Sequence, residues 1–225
     1  MVAASPPWTC PSPLGPRLET LPAGSNLWRV HSAVLPPDGF NPYGAYEKVR
    51  DAPTKGAPGR FDSITGDFGY LYAGATRKVT VAEAFIRGSA ASPFSRYVPF
   101  AAVLDASLAR LATTQPLRLV SVHGDGLARL GQDAWLTSCD EFDYRLTEEW
   151  AAAIRRWSPD AQGLIWRSKR ANDGMAYVLF GDRISTGCIA VLNDQQLGVE
   201  PGLSLVVRLL EQMGLALDAR AAGRP

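Results

Sequence analysis

Short runs of aromatic and β-branched residues, bounded by glycine or proline, limit what this chain can fold into. Residues 68–73 form one such run, which ends at Gly74, and residues 117–122 form another, which follows Pro116. Runs of this length and composition are typical of strands. Three further strand candidates lie at residues 27–31, 163–166 and 175–180. The chain is therefore predicted to contain a β-sheet.

Three segments have the features of helices. Residues 76–87 carry apolar side chains at the spacing of one helix face. Residues 147–157 begin with Thr147, a residue type that caps helices. Residues 204–217 form the third candidate, whereas residues 97–111 are compatible with a strand or a helix.

The predicted strands and helices alternate only loosely, and no internal repeat occurs. This order predicts an α+β (mixed α/β) fold with a central mixed β-sheet flanked by helices. At 225 residues, 46% hydrophobic and 20% charged, the chain can form one compact domain. We expect that domain at residues 27–217, after an irregular arm at residues 1–26 and before a tail at residues 218–225. Residues 35–59, with their prolines, predict a long loop.

Charge and cysteine content argue against several classes of function. The formal net charge of +1 argues against nucleic acid as the main partner. A local basic cluster, Arg167, Lys169 and Arg170, suits a small anionic ligand better than a polymer. Three cysteines without CxxC spacing and two histidines argue against a disulfide framework and a metal site. No signal peptide or membrane-length apolar run is visible, so we expect a cytoplasmic protein.

Arg60, two tyrosines and Glu83 lie within one short window around a predicted strand. An arginine can hold phosphate oxygens in two-point contacts. Tyr70 or Tyr72, which share a strand face, can hold a pyridinium ring by stacking and cation–π attraction. A carboxylate can stabilise the ribose cation that remains when nicotinamide departs. The window therefore points to chemistry on a dinucleotide such as NAD+.

Two distant residues add to this hypothesis. Arg29 lies within an apolar strand candidate, where an arginine must find a partner or a ligand. Ser168 lies at the end of another strand candidate, outside any G-x-S-x-G motif, which argues against a serine-hydrolase nucleophile. It is interpreted as a hydrogen-bonding contact or as a turn serine.

The order of these segments resembles that of the RES-domain family, the toxin half of a bacterial toxin–antitoxin pair. The resemblance covers residues 27–182 approximately. The first matching segments are Leu27-Trp28-Arg29-Val30-His31, Gly59-Arg60-Phe61-Asp62, Tyr70-Leu71-Tyr72-Ala73 and Ala82-Glu83. The later ones are residues 147–150 and 163–170.

The resemblance implies a fold similar to that of ADP-ribosyltransferases, with NAD+ in a cleft as substrate and no metal. It implies catalytic roles for Glu83, which would stabilise the ribose cation, and for Arg60. It also implies that Arg29 and Arg60 bind the phosphates and that Tyr72 lines the nicotinamide pocket. Ser168 would hold another part of the ligand. Some relatives carry a tyrosine directly after the first arginine, where this chain has Val30; His31 is a candidate to replace it.

The implied function is that of a toxin that degrades NAD+ by cleaving the nicotinamide–ribose bond, with phosphate or water as acceptor. The implied partner is a protein antitoxin of the Xre, helix-turn-helix type, which covers the active site. A protein mono-ADP-ribosyltransferase is the enzymatic alternative, because the motifs do not specify the acceptor. A non-catalytic nucleotide- or protein-binding module is a third hypothesis, motivated by Val30 and by the long loop.

Several of these residues have ordinary structural interpretations. Thr80 and Glu83 have the spacing of a capping box, in which Glu83 would return to the backbone N–H of Thr80. Arg60 could be a surface arginine, and both tyrosines could be core residues. His123 and Asp125 lie two residues apart, and each is followed by a glycine. This pattern favours a turn over a catalytic pair.

Overall fold

A curled mixed sheet of eight strands organises the fold in the computed structural model. The structure describes residues 4–32, 35–45, 47, 58–86 and 96–218. The strands in these ranges are β1 Leu18–Leu21, β2 Asn26–Ser32, β3 Tyr70–Gly74, β4 Tyr97–Pro99, β5 Ala106–Thr113, β6 Leu117–Ser121, β7 Gly163–Arg167, β8 Met175–Phe180, β9 Ile189–Gln196 and β10 Ala216–Asp218. The large sheet has the order β1-β6-β7-β8-β3-β2-β5-β9, and β4 pairs with β10 separately. Within the large sheet β6 and β7 are parallel, and the other neighbours are antiparallel.

Helices pack against this sheet and bury apolar stripes. They are α1 Arg77–Phe85, α2 Phe100–Leu104, α3 Asp125–Arg129, α4 Trp135–Ser138, α5 Tyr144–Trp157 and α6 Gly202–Gln212. In α5 the buried positions include Thr147, Trp150, Ala151 and Ile154, which recur every three or four residues. That spacing places them on one helix face. The α+β fold expected from the sequence is confirmed.

The two faces of the sheet carry different cores because side chains alternate along each strand. On one face, Leu27 of β2 and Leu71 of β3 belong to one cluster with residues of β5, β6 and β8. On the other face, Tyr70 packs against α1 and α5, and Val30 packs beneath α1 and α6. A fully buried side chain of this size contributes about 1.5–3 kcal/mol. The face that a strand residue occupies therefore decides whether it meets the helices.

Most predicted elements are present with shifted ends. The segment 97–111, which was compatible with either element, contains β4, α2 and most of β5. The expected cap at Thr147 is wrong, because α5 begins at Tyr144 and Thr147 lies inside it. Thr147 is fully buried, and its hydroxyl donates to the carbonyl of Arg60 over 2.6 Å. This long-range bond, which local sequence does not reveal, fixes its place.

Within the segment expected as an N-terminal arm, residues 18–21 form β1 and pair with β6. The residues before it run along α5. The indole N–H of Trp150 donates to the carbonyl of Ala4 over 2.8 Å, and that of Trp157 donates to Trp8 over 2.9 Å. At the other end, Asp218 closes β10, and the rest of the expected tail lies outside the described residues. Of the expected loop at residues 35–59, residues 46 and 48–57 also lie outside them.

Among the residues that the structure describes, none of the helices is both long and apolar enough to span a bilayer.

Candidate functional site

A cavity of about 210 Å³ lies between α1, the start of α5 and the helix-covered face of the sheet. Strands β2, β3, β7 and β8 form its floor, and α1 contributes Thr80, Glu83 and Ala84. Residues three and four apart share one helix face, so α1 turns these three side chains to the same side. The lining residues are Val30, Arg60, Tyr72, Ala73, Thr80, Glu83, Ala84, Tyr144, Trp166 and Ala176.

The start of α1 decides between the two interpretations of Glu83. The cap is Thr76, whose hydroxyl oxygen accepts from the backbone N–H of Val79 over 3.2 Å. Thr80 lies inside the helix, with its hydroxyl 3.0 Å from the carbonyl of Trp28 in β2. The capping-box interpretation is therefore wrong, because Thr80 is not the cap. Glu83 lies near the C-terminal end of α1, beside the cavity.

Ser168 holds the carboxylate of Glu83 in place. Its hydroxyl donates to Oε1 of Glu83 over 2.5 Å, the length of a charge-assisted O–H···O⁻ bond. The same hydroxyl oxygen accepts from the backbone N–H groups of Arg170, over 3.2 Å, and Ala171, over 3.0 Å. These two donors occupy the lone pairs of the oxygen and direct its proton to Glu83. Ser168 is 1% exposed, so it reaches the cavity through Glu83.

Arg60 forms a cationic wall of the cavity. One terminal nitrogen donates to the carbonyl of Cys139 over 3.2 Å and to its sulfur over 2.8 Å. The guanidinium lies 4.9 Å from the ring centre of Tyr144, and its other terminal nitrogen is 3.5 Å from the Tyr144 hydroxyl. Burial raises the pKa of the Cys139 thiol, an effect that the charge of Arg60 opposes.

Arg60 carries its positive charge in a buried position. It is 7% exposed, and no carboxylate among the described residues forms a salt bridge with it. A buried charge is costly unless it is paired. The cavity can therefore accommodate an anionic group next to Arg60.

Of the two candidate tyrosines, Tyr70 and Tyr72, the one that lines the cavity is Tyr72. Its hydroxyl donates to Oδ1 of Asp62 over 3.0 Å and accepts from the backbone N–H of Phe61 over 2.9 Å. Asp62 is buried, and its other oxygen accepts from the backbone N–H of Gly59 over 2.7 Å. Tyr70 is 1% exposed, packs in the core and donates to the carbonyl of Tyr43. The ring of Tyr72 is thus held from its hydroxyl end by a buried carboxylate.

Arg29 lies on the other face of the sheet. It has the same strand parity as Leu27, whereas Val30 faces the cavity. Its guanidinium donates to the carbonyl oxygens of Pro37, over 3.1 Å, and Gly39. Burial lowers the pKa of Arg29 to about 10, and the nearby carboxylates Asp38 and Asp194 oppose that shift.

His31 shares that face. Its Nε2 lies 3.0 Å from Oδ1 of Asp194, and its Nδ1 lies 3.0 Å from the carbonyl oxygen of Leu35. Neither His31 nor Arg29 lines the cavity. The structure therefore brings Arg60, Tyr72 and Glu83 together, with Ser168 behind Glu83, and separates Arg29 and His31 from them.

The remaining candidate, His123, also lies elsewhere. Its Nε2 is 3.2 Å from a carboxylate oxygen of Glu19 in β1. No group of three or more His, Cys, Asp and Glu side chains in the described part of the chain could hold a metal ion. The site residues that the sequence did not indicate are Asp62, Tyr144 and Trp166. Asp62 follows Arg60 and Phe61 within a matching segment, and that proximity is the signal that could have identified it.

Two comparisons with known proteins give matches. The family model described as RES domain matches residues 26–197. Among solved structures, the M. tuberculosis MbcT–MbcA toxin–antitoxin complex contains a similar chain, with a TM-score of 0.58 and 16% sequence identity. The match covers 85% of this chain and 92% of that one. At this identity the likeness shows a shared fold. A search of curated proteins finds no match.

Proposed function

This chain belongs to the RES domain family, and from that premise we propose that it is an enzyme that cleaves the nicotinamide–ribose bond of NAD+. The observation that carries the proposal is the pairing of opposite charges in one cavity. Glu83, held by Ser168, and Arg60, which lacks a carboxylate partner among the described residues, both line it. Such a site suits a ligand that carries anionic phosphates and that develops positive charge at one ribose carbon during the reaction.

In the proposed reaction the C–N bond breaks, and its electron pair leaves with nicotinamide. The pyridinium ring becomes neutral as it departs, so no proton donor is needed. The ribose is left with oxocarbenium character, and the fixed Glu83 carboxylate stabilises it electrostatically. A carboxylate that is already oriented by Ser168 needs no rearrangement during the step.

Tyr72 offers an aromatic surface to the nicotinamide ring. Contact between a pyridinium and an aromatic face contributes roughly 0.5–2 kcal/mol. Asp62 accepts from the hydroxyl of Tyr72, which keeps the phenol ring in one orientation and adds negative charge at its far end. This arrangement favours the cationic ring of NAD+ over the neutral nicotinamide that is released.

The acceptor in our proposal is phosphate, with water as the alternative. A phosphate oxygen bonds to the ribose carbon and gives ADP-ribose 1″-phosphate, whereas water gives ADP-ribose and releases a proton. Loss of NAD+ would inhibit growth, so we propose that the chain is a toxin. The similar solved chain comes from a toxin–antitoxin complex, which supports a protein antitoxin as partner here. We expect a small helix-turn-helix protein of the Xre type that covers the cavity in the cytoplasm.

Purified protein incubated with NAD+, with and without phosphate, tests the proposal. We expect release of nicotinamide in both cases and ADP-ribose 1″-phosphate when phosphate is present. Nicotinamide release with the ADP-ribose attached to protein, and without free ADP-ribose or ADP-ribose 1″-phosphate, would identify a mono-ADP-ribosyltransferase instead. No nicotinamide release by protein freed of any antitoxin would contradict the enzymatic proposal and favour a binding module.

A further inference from the structure

A second cleft, of about 440 Å³, lies outside the cavity that contains Glu83. Three cationic side chains and one carboxylate line it, so positive charge is in excess there. Its lining residues are Lys78, Lys169, Arg170, Ala171, Asn172, Asp173, Gln212 and Met213. None of them lines the first cavity.

Lys169 connects this cleft to Arg60. Its ammonium nitrogen lies 3.3 Å from the carbonyl oxygen of Cys139, the same oxygen that accepts from Arg60 over 3.2 Å. One carbonyl thus binds a cation from each cleft, which makes Lys169 and Arg60 close neighbours. Lys169 also directly follows Ser168, which holds Glu83.

The present partner of Lys169 leaves it accessible to a ligand. Its ammonium pairs with Oδ1 of Asp140 over 2.9 Å, and the Asp140 side chain is 79% exposed. An ion pair that faces solvent is weak. A diphosphate, with more charge and more acceptor oxygens than one carboxylate, can displace it. On the far side of the cleft, Lys78 is paired with Asp173 over 2.9 Å.

The first cavity is smaller than a whole dinucleotide, which favours a second site for the rest of the ligand. Pockets that enclose drug-sized ligands have volumes of about 300–1,000 Å³, and the first cavity has 210 Å³. It can enclose the nicotinamide and its ribose, and the ADP half must extend beyond it. Arg29, the second phosphate contact implied by family resemblance, lies on the other sheet face.

We propose that Arg60 and Lys169 form a two-cation clamp for the diphosphate of the ligand and direct its adenosine half into the second cleft. The assignment rests on the proposed function for the identity of the ligand, a nucleoside diphosphate attached to the reacting ribose. Its basis is the shared Cys139 carbonyl, together with the excess positive charge of the second cleft.

Isothermal titration with ADP tests the clamp without any turnover. For Lys169→Gln we expect ADP to bind at least tenfold more weakly than to the wild type, since a charge-assisted bond is lost. Adenosine, which lacks the diphosphate, should show no such difference. Arg118→Gln, a substitution at an exposed residue of β6 that pairs with Asp160, is the matched control and should leave ADP affinity unchanged. Lys78→Gln, on the far wall of the same cleft, tests the alternative that the diphosphate binds at that wall.

Each outcome is decisive. A loss confined to Lys169→Gln supports the clamp, while an equal loss in Lys78→Gln would place the anion at the outer wall and overturn it. Unchanged ADP affinity in Lys169→Gln, or no ADP binding by the wild type, would also overturn it. If the clamp is supported but the wild type releases no nicotinamide from NAD+, the proposed function fails alone. If NAD+ is cleaved and Lys169→Gln binds ADP normally, the clamp fails alone.

Discussion

Replacing Ser168 by alanine separates two roles for this serine: positioning Glu83 or contacting the ligand. The substitution removes the 2.5 Å bond to Glu83, a hydrogen bond to a charged group worth about 1.5–3 kcal/mol. If all of that energy serves to orient the carboxylate, kcat for NAD+ cleavage falls roughly ten- to a hundredfold. KM should change little, because Ser168 is buried behind Glu83.

The same substitution should also lower stability. It leaves the backbone N–H of Ala171, which is 4% exposed, without its acceptor. An unsatisfied buried donor costs about 1–3 kcal/mol, so we expect the free energy of unfolding in urea to fall by about 3 kcal/mol once the lost bond is included. Ser121→Ala is the matched control, since Ser121 is fully buried and its hydroxyl makes one long bond, 3.4 Å, away from the cavity. It should leave kcat unchanged.

Initial rates of nicotinamide release against NAD+ concentration, measured by chromatography, give kcat and KM for each variant. The decisive comparison is Ser168→Ala in a Glu83→Gln background. If Ser168 acts through Glu83, the second substitution lowers the rate little further, which is the signature of coupled residues. An unchanged kcat with a raised KM, or the same loss of rate in both backgrounds, would refute the positioning role.

Two further variants test the rest of the site. Asp62→Asn keeps the shape of the side chain but removes the charge beside Tyr72. NAD+ should therefore bind about tenfold more weakly, measured by titration in an inactive Glu83→Gln background. Unchanged affinity would contradict a role of Asp62 in binding the nicotinamide ring. Arg29→Met leaves the carbonyls of Pro37 and Gly39 unpaired and should lower the free energy of unfolding by about 1–3 kcal/mol. The affinity for ADP should not change. A tenfold loss of ADP affinity in a folded Arg29→Met protein would show that Arg29 contacts the ligand.

The fold class could be predicted because local patterns of residues in the sequence indicate most of the strands and helices. Residues 175–180 and β8 coincide, and the segment at residues 163–166 differs from β7 by one residue. The faces of the strands were harder to predict. The alternation of side chains along a strand places Arg29 and Val30 on opposite faces of the sheet. The neighbouring residues in the sequence do not indicate which of these faces α1 covers. The role of Arg29 at the phosphates is therefore implied by the family resemblance alone.

The helix α1 illustrates the same limit. Thr80 precedes Glu83 at the spacing of a capping box, whereas the structure has Thr76 as the cap of the helix. The hydroxyl of Thr80 lies close to the carbonyl of Trp28, a contact 52 residues away in sequence. Contacts of this kind come from tertiary packing, so the sequence left both roles of Glu83 open. The docking of α5 likewise brings Tyr144 to Arg60, and the turn after β7 brings Lys169 to the carbonyl of Cys139.

In the proposed reaction the Glu83 carboxylate lowers the barrier to cleavage of NAD+, and a comparison of three proteins tests this role. Nicotinamide release should be measured for the wild type, for Glu83→Gln and for Glu211→Gln, an exposed glutamate of α6 that lines neither cleft. Loss of the stabilising charge should lower kcat of Glu83→Gln by about a hundred- to a thousandfold, with KM and melting temperature nearly unchanged. Glu211→Gln should match the wild type. Undiminished nicotinamide release by a folded Glu83→Gln protein would contradict this role.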